Sequence, residues 1–344
     1  MNLDKLVRSN ILAMKPYSSA RDEYAGDGEI FLDANENPFE TGLNRYPDPY
    51  QRKLKAKIAS LKNVQTNQLF LGNGSDEAID LILRIFCEPS TDEIIILDPT
   101  YGMYQVSAAI QNVAVRKVPL TPNFELSADS VLSAVGSGTK VIFICTPNNP
   151  SGNDLDHDEI KKIISEFPGI VVIDEAYIDF TCAESFTQSL EEFANLIVLQ
   201  TFSKAWGMAA LRLGMAFASP EIIRYFNKVK APYNLNVLAQ KEALIRLEEA
   251  PEVRQMADEL KHARILLEQQ LKSLPIVKGV FPSAANFLLV RFENSNAIFD
   301  YMISREIIVR DRSKALHCQD CLRITVGTEE ENKRLLQALN SFKV

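Results

Sequence analysis

Between about residue 50 and residue 240 the chain alternates short apolar runs with longer amphipathic stretches, and this alternation limits the fold more than any other feature. The runs fall at 94–97, 141–145, 170–173 and 196–199 and are rich in Ile, Val and Leu. Four or five such residues between helical stretches read as strands buried on both faces, the pattern of a parallel sheet. The stretches at 51–61, 76–87, 126–135 and 156–167 read as helices covering such a sheet. After residue 240 the pattern changes. The spacing predicts a helix over 251–274, strands at 276–280 and 286–292, and a helix over 295–305. Strands at 307–309 and 322–326 and a helix over 329–342 follow. The expected class is α/β: a large domain at 46–245 with a mainly parallel sheet flanked by helices, and a smaller α+β domain at 246–344. Residues 1–45 are expected to form an N-terminal arm and part of the small domain.

Composition narrows the function classes. With 37 Lys and Arg against 45 Asp and Glu, the net charge of −8 makes a generic nucleic-acid or anionic-membrane binder a poor fit. No stretch approaches the roughly 20 apolar residues of a membrane span. The first residues show no secretion signal, and five cysteines in 344 residues suggest no disulfide scaffold, so a cytoplasmic protein is expected. His317, Cys318 and Cys321 cluster but lack a second ligand pair, so no metal is expected.

Four motifs fall just past predicted strands, where α/β sheets bind ligands. Gly72, Asn73, Gly74, Ser75 and Asp76 form a glycine turn running into a helix. Free N–H groups there suit a phosphate, although Ser75 capping the helix explains the same residues. Glu77 stands where a GxGxxG fingerprint needs glycine, so a nicotinamide dinucleotide is disfavoured. Asn149 sits in the turn after 141–145, where its amide can donate to a ring oxygen or simply close a Pro/Gly loop. Asp174 follows 170–173, with Tyr177 three residues on. An aspartate there could keep a pyridine nitrogen protonated, could hold magnesium in a nucleotide enzyme, or could be a surface acid.

The most specific motif is Ser203 and Lys204 after 196–199, with Arg212 shortly beyond. A lysine in a partly buried apolar site has a lowered pKa and can form a Schiff base. Ser203 and Arg212 offer a hydroxyl and a guanidinium to a phosphate.

Asn149 to Gly152, Asp174 with Tyr177, and Ser203-Lys204 with Arg212 resemble the signature of fold-type I pyridoxal-phosphate enzymes, the aspartate-aminotransferase superfamily. More narrowly, segments around Asp33–Pro38, Asn44–Pro49, Pro99–Tyr104, Val309–Asp311 and Cys321–Gly327 resemble the histidinol-phosphate aminotransferases over nearly the whole chain. Ser151 stands where that family commonly has Thr, a mild departure in a turn.

The resemblance implies an aspartate-aminotransferase-like fold and pyridoxal 5'-phosphate as cofactor. It implies Lys204 as the Schiff-base residue and Asp174 as partner of the pyridine nitrogen. Asn149 and Tyr177 would bond the ring oxygen, and Tyr101 would stack on the ring. Ser75, Asp76, Ser203 and Arg212 would hold the phosphate, and Tyr46 would reach the phosphate in the neighbouring subunit of a homodimer. For substrate it implies Arg323 and Arg310 as anion binders, with Tyr17 and Asn35 as further contacts. The implied reaction moves an amino group between L-histidinol phosphate and 2-oxoglutarate, giving imidazole acetol phosphate and glutamate. An aromatic or broad-specificity aminotransferase and an L-threonine-phosphate decarboxylase are alternatives on the same fold. A non-catalytic regulator and a nicotinamide oxidoreductase are alternatives of other classes. Oxidation at Cys321, two residues from Arg323, is a speculative route to redox sensitivity.

Overall fold

The computed structural model describes residues 3–17 and 30–343. Its centre is a seven-stranded sheet of β1 (Leu69–Asn73), β2 (Glu93–Asp98), β3 (Ala114–Pro119), β4 (Thr139–Cys145), β5 (Ile170–Asp174), β6 (Leu196–Thr201) and β7 (Leu213–Ala218). The spatial order is β1-β7-β6-β5-β4-β2-β3. All neighbours are parallel except β7, which runs antiparallel to both β1 and β6. The reversal leaves β1 pointing the same way as β6. The carboxyl ends of β1, β2, β4, β5 and β6 therefore open on one edge of the sheet.

Successive residues of each strand feed opposite faces, as the pleat requires. Ile142, Ile144, Val171 and Ile173 enter one core, while Val141, Phe143, Ile170 and Val172 enter the other. Both faces are covered by helices, among them α1 (Ser9–Ala13), α2 (Arg52–Lys62), α3 (Gly74–Phe86), α4 (Met103–Ile110), α5 (Ala128–Ser133), α6 (His157–Glu166), α7 (Pro220–Val229) and α8 (Val237–Glu248). Local sequence sets several starts. Asp156 caps α6 by accepting from the N–H groups of Asp158 and Glu159.

The long helix α9 (Ala250–Lys272) joins two cores. Its Val253 and Ala257 pack with the large sheet, and its Leu267 and Leu271 pack beneath a second sheet. That second sheet is antiparallel, ordered β10-β11-β9-β8, from β8 (Val277–Val280), β9 (Phe287–Phe292), β10 (Arg310–Asp311) and β11 (Cys321–Thr325). Helices α10 (Ser295–Ser304) and α11 (Glu329–Ser341) complete this unit. The strand expected at 307–309 is a correction: pairing begins only at Arg310, which sits opposite Arg323.

Candidate active site

The carboxyl-end edge of the large sheet encloses a cavity of about 250 Å3. Each strand end delivers one part of it. From β1 the chain turns at Gly74 into α3, so Ser75 and Asp76 lie at a helix N-terminus that no side chain caps. The capping alternative for Ser75 thereby falls, and Ser75 lines the cavity at the start of α3. β2 delivers Tyr101, β4 delivers Cys145 and Asn149, β5 delivers Asp174 and Tyr177, and β6 delivers Ser203 and Lys204. Arg212 enters from the start of β7. Nine of the site residues expected from the sequence thus line one cavity.

Close packing shapes the α3 end. Gly74 has a positive φ of 71°, and its N–H donates to the Arg212 carbonyl at 2.9 Å. A Cβ on Gly214 would lie 2.2 Å from the Ser75 nitrogen. Only glycine lets β7 pass this close and leave the first amides of α3 turned to the cavity.

Asp174 is buried at the cavity floor. Its Oδ2 accepts from Tyr104 Oη at 2.6 Å and its Oδ1 from the Ala176 N–H at 3.1 Å. Burial pushes its carboxyl up to about 6, and these two hydrogen bonds oppose that rise. Lys204 is lowered below the usual lysine range, first by burial and then by the charge of Arg323. Its Nζ lies 5.7 Å from the centre of the Tyr177 ring. Asn149 Nδ2 donates to Tyr177 Oη at 3.3 Å, which fixes the amide toward the cavity. Tyr101 Oη donates to Asp76 Oδ1 at 3.2 Å, and Arg212 Nη2 lies 3.7 Å from the other Asp76 oxygen.

Comparison with known proteins gives the family. The family described as aminotransferase class I and II matches residues 32–339. The histidinol-phosphate aminotransferase of Parabacteroides distasonis is 53% identical over 343 residues, covering 100% of this chain and 99% of its own. That of Cytophaga hutchinsonii is 52% identical over 345 residues, covering 99% of each. The chain belongs to the histidinol-phosphate aminotransferases, within the class I and II aminotransferases. Among solved structures, the histidinol-phosphate aminotransferase of Clostridium acetobutylicum aligns with a TM-score of 0.80 at 25% identity, over 87% of this chain and 90% of that one. The Sinorhizobium meliloti protein, solved in complex with pyridoxal-5'-phosphate, aligns at 0.79 and 23%, over 86% of this chain and 82% of that one, and bears on the fold.

The aminotransferase cavity suits pyridoxal phosphate on its own chemistry. An uncapped helix N-terminus beside Arg212 and Ser203 offers amides, a guanidinium and a hydroxyl to a phosphate. A buried carboxylate faces the cavity with no cation within salt-bridge reach among the described residues, as a ring N–H requires. A lysine of lowered pKa supplies the amine.

Four residues expected at the site lie outside the cavity of their own chain. Tyr46 is half-exposed and stacks on Tyr233 at 4.4 Å, lining a separate depression with Asn35. Tyr17 is 69% exposed. Arg310 is exposed on β10. Arg323 does reach the site: its Nη1 donates to Asn149 Oδ1, and its guanidinium lies 5.2 Å from the centre of the Phe287 ring.

Sequence reasoning missed Tyr104, Cys145 and Thr201. Tyr104 is wholly buried, stacks on Phe143 at 4.8 Å and holds Asp174. Its only sequence signal was a position one helical turn past Tyr101. The cluster of His317, Cys318 and Cys321 forms no group able to hold a metal among the described residues.

Proposed function

We propose that this aminotransferase moves the amino group of L-histidinol phosphate to 2-oxoglutarate, in histidine biosynthesis. The observation that carries the reading is a pair of arginines: Arg310 and Arg323 stand opposite each other on one antiparallel ladder, and neither pairs with a carboxylate among the described residues. Two guanidiniums suit a dianionic phosphate, and each can also take a carboxylate of 2-oxoglutarate in two parallel bonds. Relatives half identical over the full length bear the matching name.

Bound pyridoxal phosphate supplies an electron sink for charge developing at the substrate's α-carbon. The protein's own groups do the rest. Lys204 would hold the cofactor by its aldehyde end. Its amine, lowered in pKa chiefly by burial, is the group that would take the proton from the substrate's α-carbon and return it. Asp174 would set a negative charge against the ring nitrogen, and Asn149 and Tyr177 would orient the ring oxygen. Tyr101 covers the ring face. The amides of Ser75 and Asp76, with Ser203 and Arg212, grip the cofactor phosphate. Arg323, tied to Asn149, fixes the substrate anion relative to that ring.

The protein acts as a homodimer that shares its sites. Tyr46 serves the phosphate of the neighbouring subunit, and Asn35 and Tyr17, both remote from their own cavity, complete the substrate end in the same shared arrangement. Exposed Ile30, Leu32, Phe39, Leu43 and Leu238 around Tyr46 supply an apolar face for the contact. The small domain, 246–344, works as the substrate-side lobe against 46–245, with 1–45 as the arm. No helix among the described residues is long and apolar enough to cross a membrane, and a cytoplasmic location fits cysteines that are all free.

The test is the visible spectrum of the purified protein before and after adding L-histidinol phosphate without an oxo acid. Conversion of the absorbance to that of the amine form of the cofactor is expected. Absorbance that ignores histidinol phosphate but responds to phenylalanine, or carbon dioxide released from threonine phosphate, would overturn the substrate reading.

A further inference from the structure

We propose that Arg312 is a third recognition residue for the donor's phosphate group, acting with Arg310 and Arg323. The inference rests on the substrate reading above and adds a residue to it.

Strand register places the three together. Arg310 is opposite Arg323, and Asp311 is opposite Leu322. The ladder continues one residue further, because the Arg312 N–H donates to the Cys321 carbonyl at 3.0 Å. Directly opposed residues of an antiparallel pair project from the same face, and successive residues alternate. Arg310, Arg312 and Arg323 therefore share a face, with Asp311 and Leu322 on the other. Leu322 belongs to the small domain's own core, whereas Cys321, with Phe287 and Leu289, packs with the core of the large sheet. The arginine face is thus the one turned toward the large domain and its cavity, where Arg323 meets Asn149.

The neighbouring acid, Asp311, feels the charge of Arg312 but makes no salt bridge with any of the three among the described residues. The Asp311 carboxylate accepts from the Ser313 N–H at 2.8 Å. Among the described residues, none of the three guanidiniums pairs with a carboxylate. Each carries five N–H donors. Arg323 gives one to Asn149; among the described residues the Arg312 side chain donates to no acceptor, and its Nε is buried without a partner. A half-buried guanidinium with no acceptor costs stability unless an anion completes it. Burial and the charges of Arg323 and Arg310 all disfavour the cation at Arg312, which sharpens the need for a counter-charge. A phosphate with charge near −2 and three acceptor oxygens answers three guanidiniums better than one carboxylate does.

The experiment compares holoenzyme with its Arg312→Gln and Arg312→Lys variants. Inorganic phosphate is titrated calorimetrically, and KM and kcat are measured for L-histidinol phosphate. For Arg312→Gln the Kd for phosphate and the KM are expected to rise roughly tenfold, with kcat changed less than threefold, as loss of a charged hydrogen bond implies. Arg312→Lys should recover part of both. An unchanged Kd for phosphate would overturn the proposal. So would equal losses in both variants accompanied by a lower melting temperature, which would mark Arg312 as structural. If the wild type fails to turn over histidinol phosphate, the substrate reading falls, while the phosphate titration still decides the role of Arg312.

Discussion

Tyr104 Oη donates to Asp174 Oδ2 at 2.6 Å, and both side chains are shut away from solvent beneath the cavity. A hydrogen bond to the charged form favours ionisation, while burial opposes it. The carboxyl, pushed up to about 6, is the outcome of that contest. Tyr104→Phe keeps the ring against Phe143 and removes only the donor. The carboxyl should then rise further, and the protein should hold pyridoxal phosphate roughly tenfold more weakly near pH 7. Titration of cofactor into stripped protein measures this; equal affinity in the two proteins would show that Tyr104 does not tune Asp174.

Lys204→Ala removes the amine whose pKa burial has lowered. Transamination should fall by about a thousandfold or more, the scale of a lost acid–base group together with its covalent role. Cofactor should still bind through the α3 end. Stopped-flow absorbance after substrate addition reads the loss, and wild-type turnover would remove Lys204 from the mechanism.

Glu175 lies outside the cavity, fully buried. Burial pushes its carboxyl up to about 7, against donors from Ser185, the Phe186 N–H and Gln200. An unfolded glutamate titrates near 4.3, so between roughly pH 4 and 7 the folded state binds a proton that the unfolded state does not. The stability from this group is complete below about pH 4 and is lost as pH rises through 7. Asp174, raised in the same direction in cofactor-free protein, adds to the trend. Glu175→Gln should flatten the fall in melting temperature of the stripped protein between pH 5 and 8. The change is accommodated if the Gln200 amide flips, because its buried Oε1 has no partner. Parallel melting curves for wild type and variant across that range would refute the assignment.

Gly214→Ala places a methyl where the Ser75 nitrogen stands. The strand or the start of α3 must shift, at a cost of about 1–3 kcal/mol for overpacking. Cofactor affinity should drop with stability, because the same shift turns the first amides of α3 away. Denaturant unfolding and cofactor titration on the one variant test both; loss of stability with full affinity would break the link between β7 and the phosphate cradle.

Parts of this architecture were legible in the sequence for identifiable reasons. Strands β2, β4, β5 and β6 are apolar on both faces, so each appears as an unbroken run. Strand β3 escaped notice because it is the sheet edge, largely exposed and carrying Arg116 and Lys117. Strand β7 is fully buried yet opens with Leu213, Gly214 and small residues that its close approach to α3 demands. The strand placed at 307–309 was misplaced because apolar Ile307 to Val309 precede the ladder, whereas pairing starts with Arg310.

The sequence by itself determined which chemical groups stand beyond which strand: Asn149, Asp174, Tyr177 and Lys204 each follow an apolar run, and local patterning is enough to show it. Tertiary structure decided which of them meet. The order β1-β7-β6-β5-β4-β2-β3 departs from chain order, so Arg212 reaches Gly74 and Asp76 only through the reversed β7. Tyr104 reaches Asp174 across 70 residues, and Arg323 reaches Asn149 across 174. The phasing of Arg310, Arg312 and Arg323 onto one face is a register, and a shift of one residue would invert it. Pairings at such separation leave no local periodicity in the chain, which is why they could be read only from the folded protein.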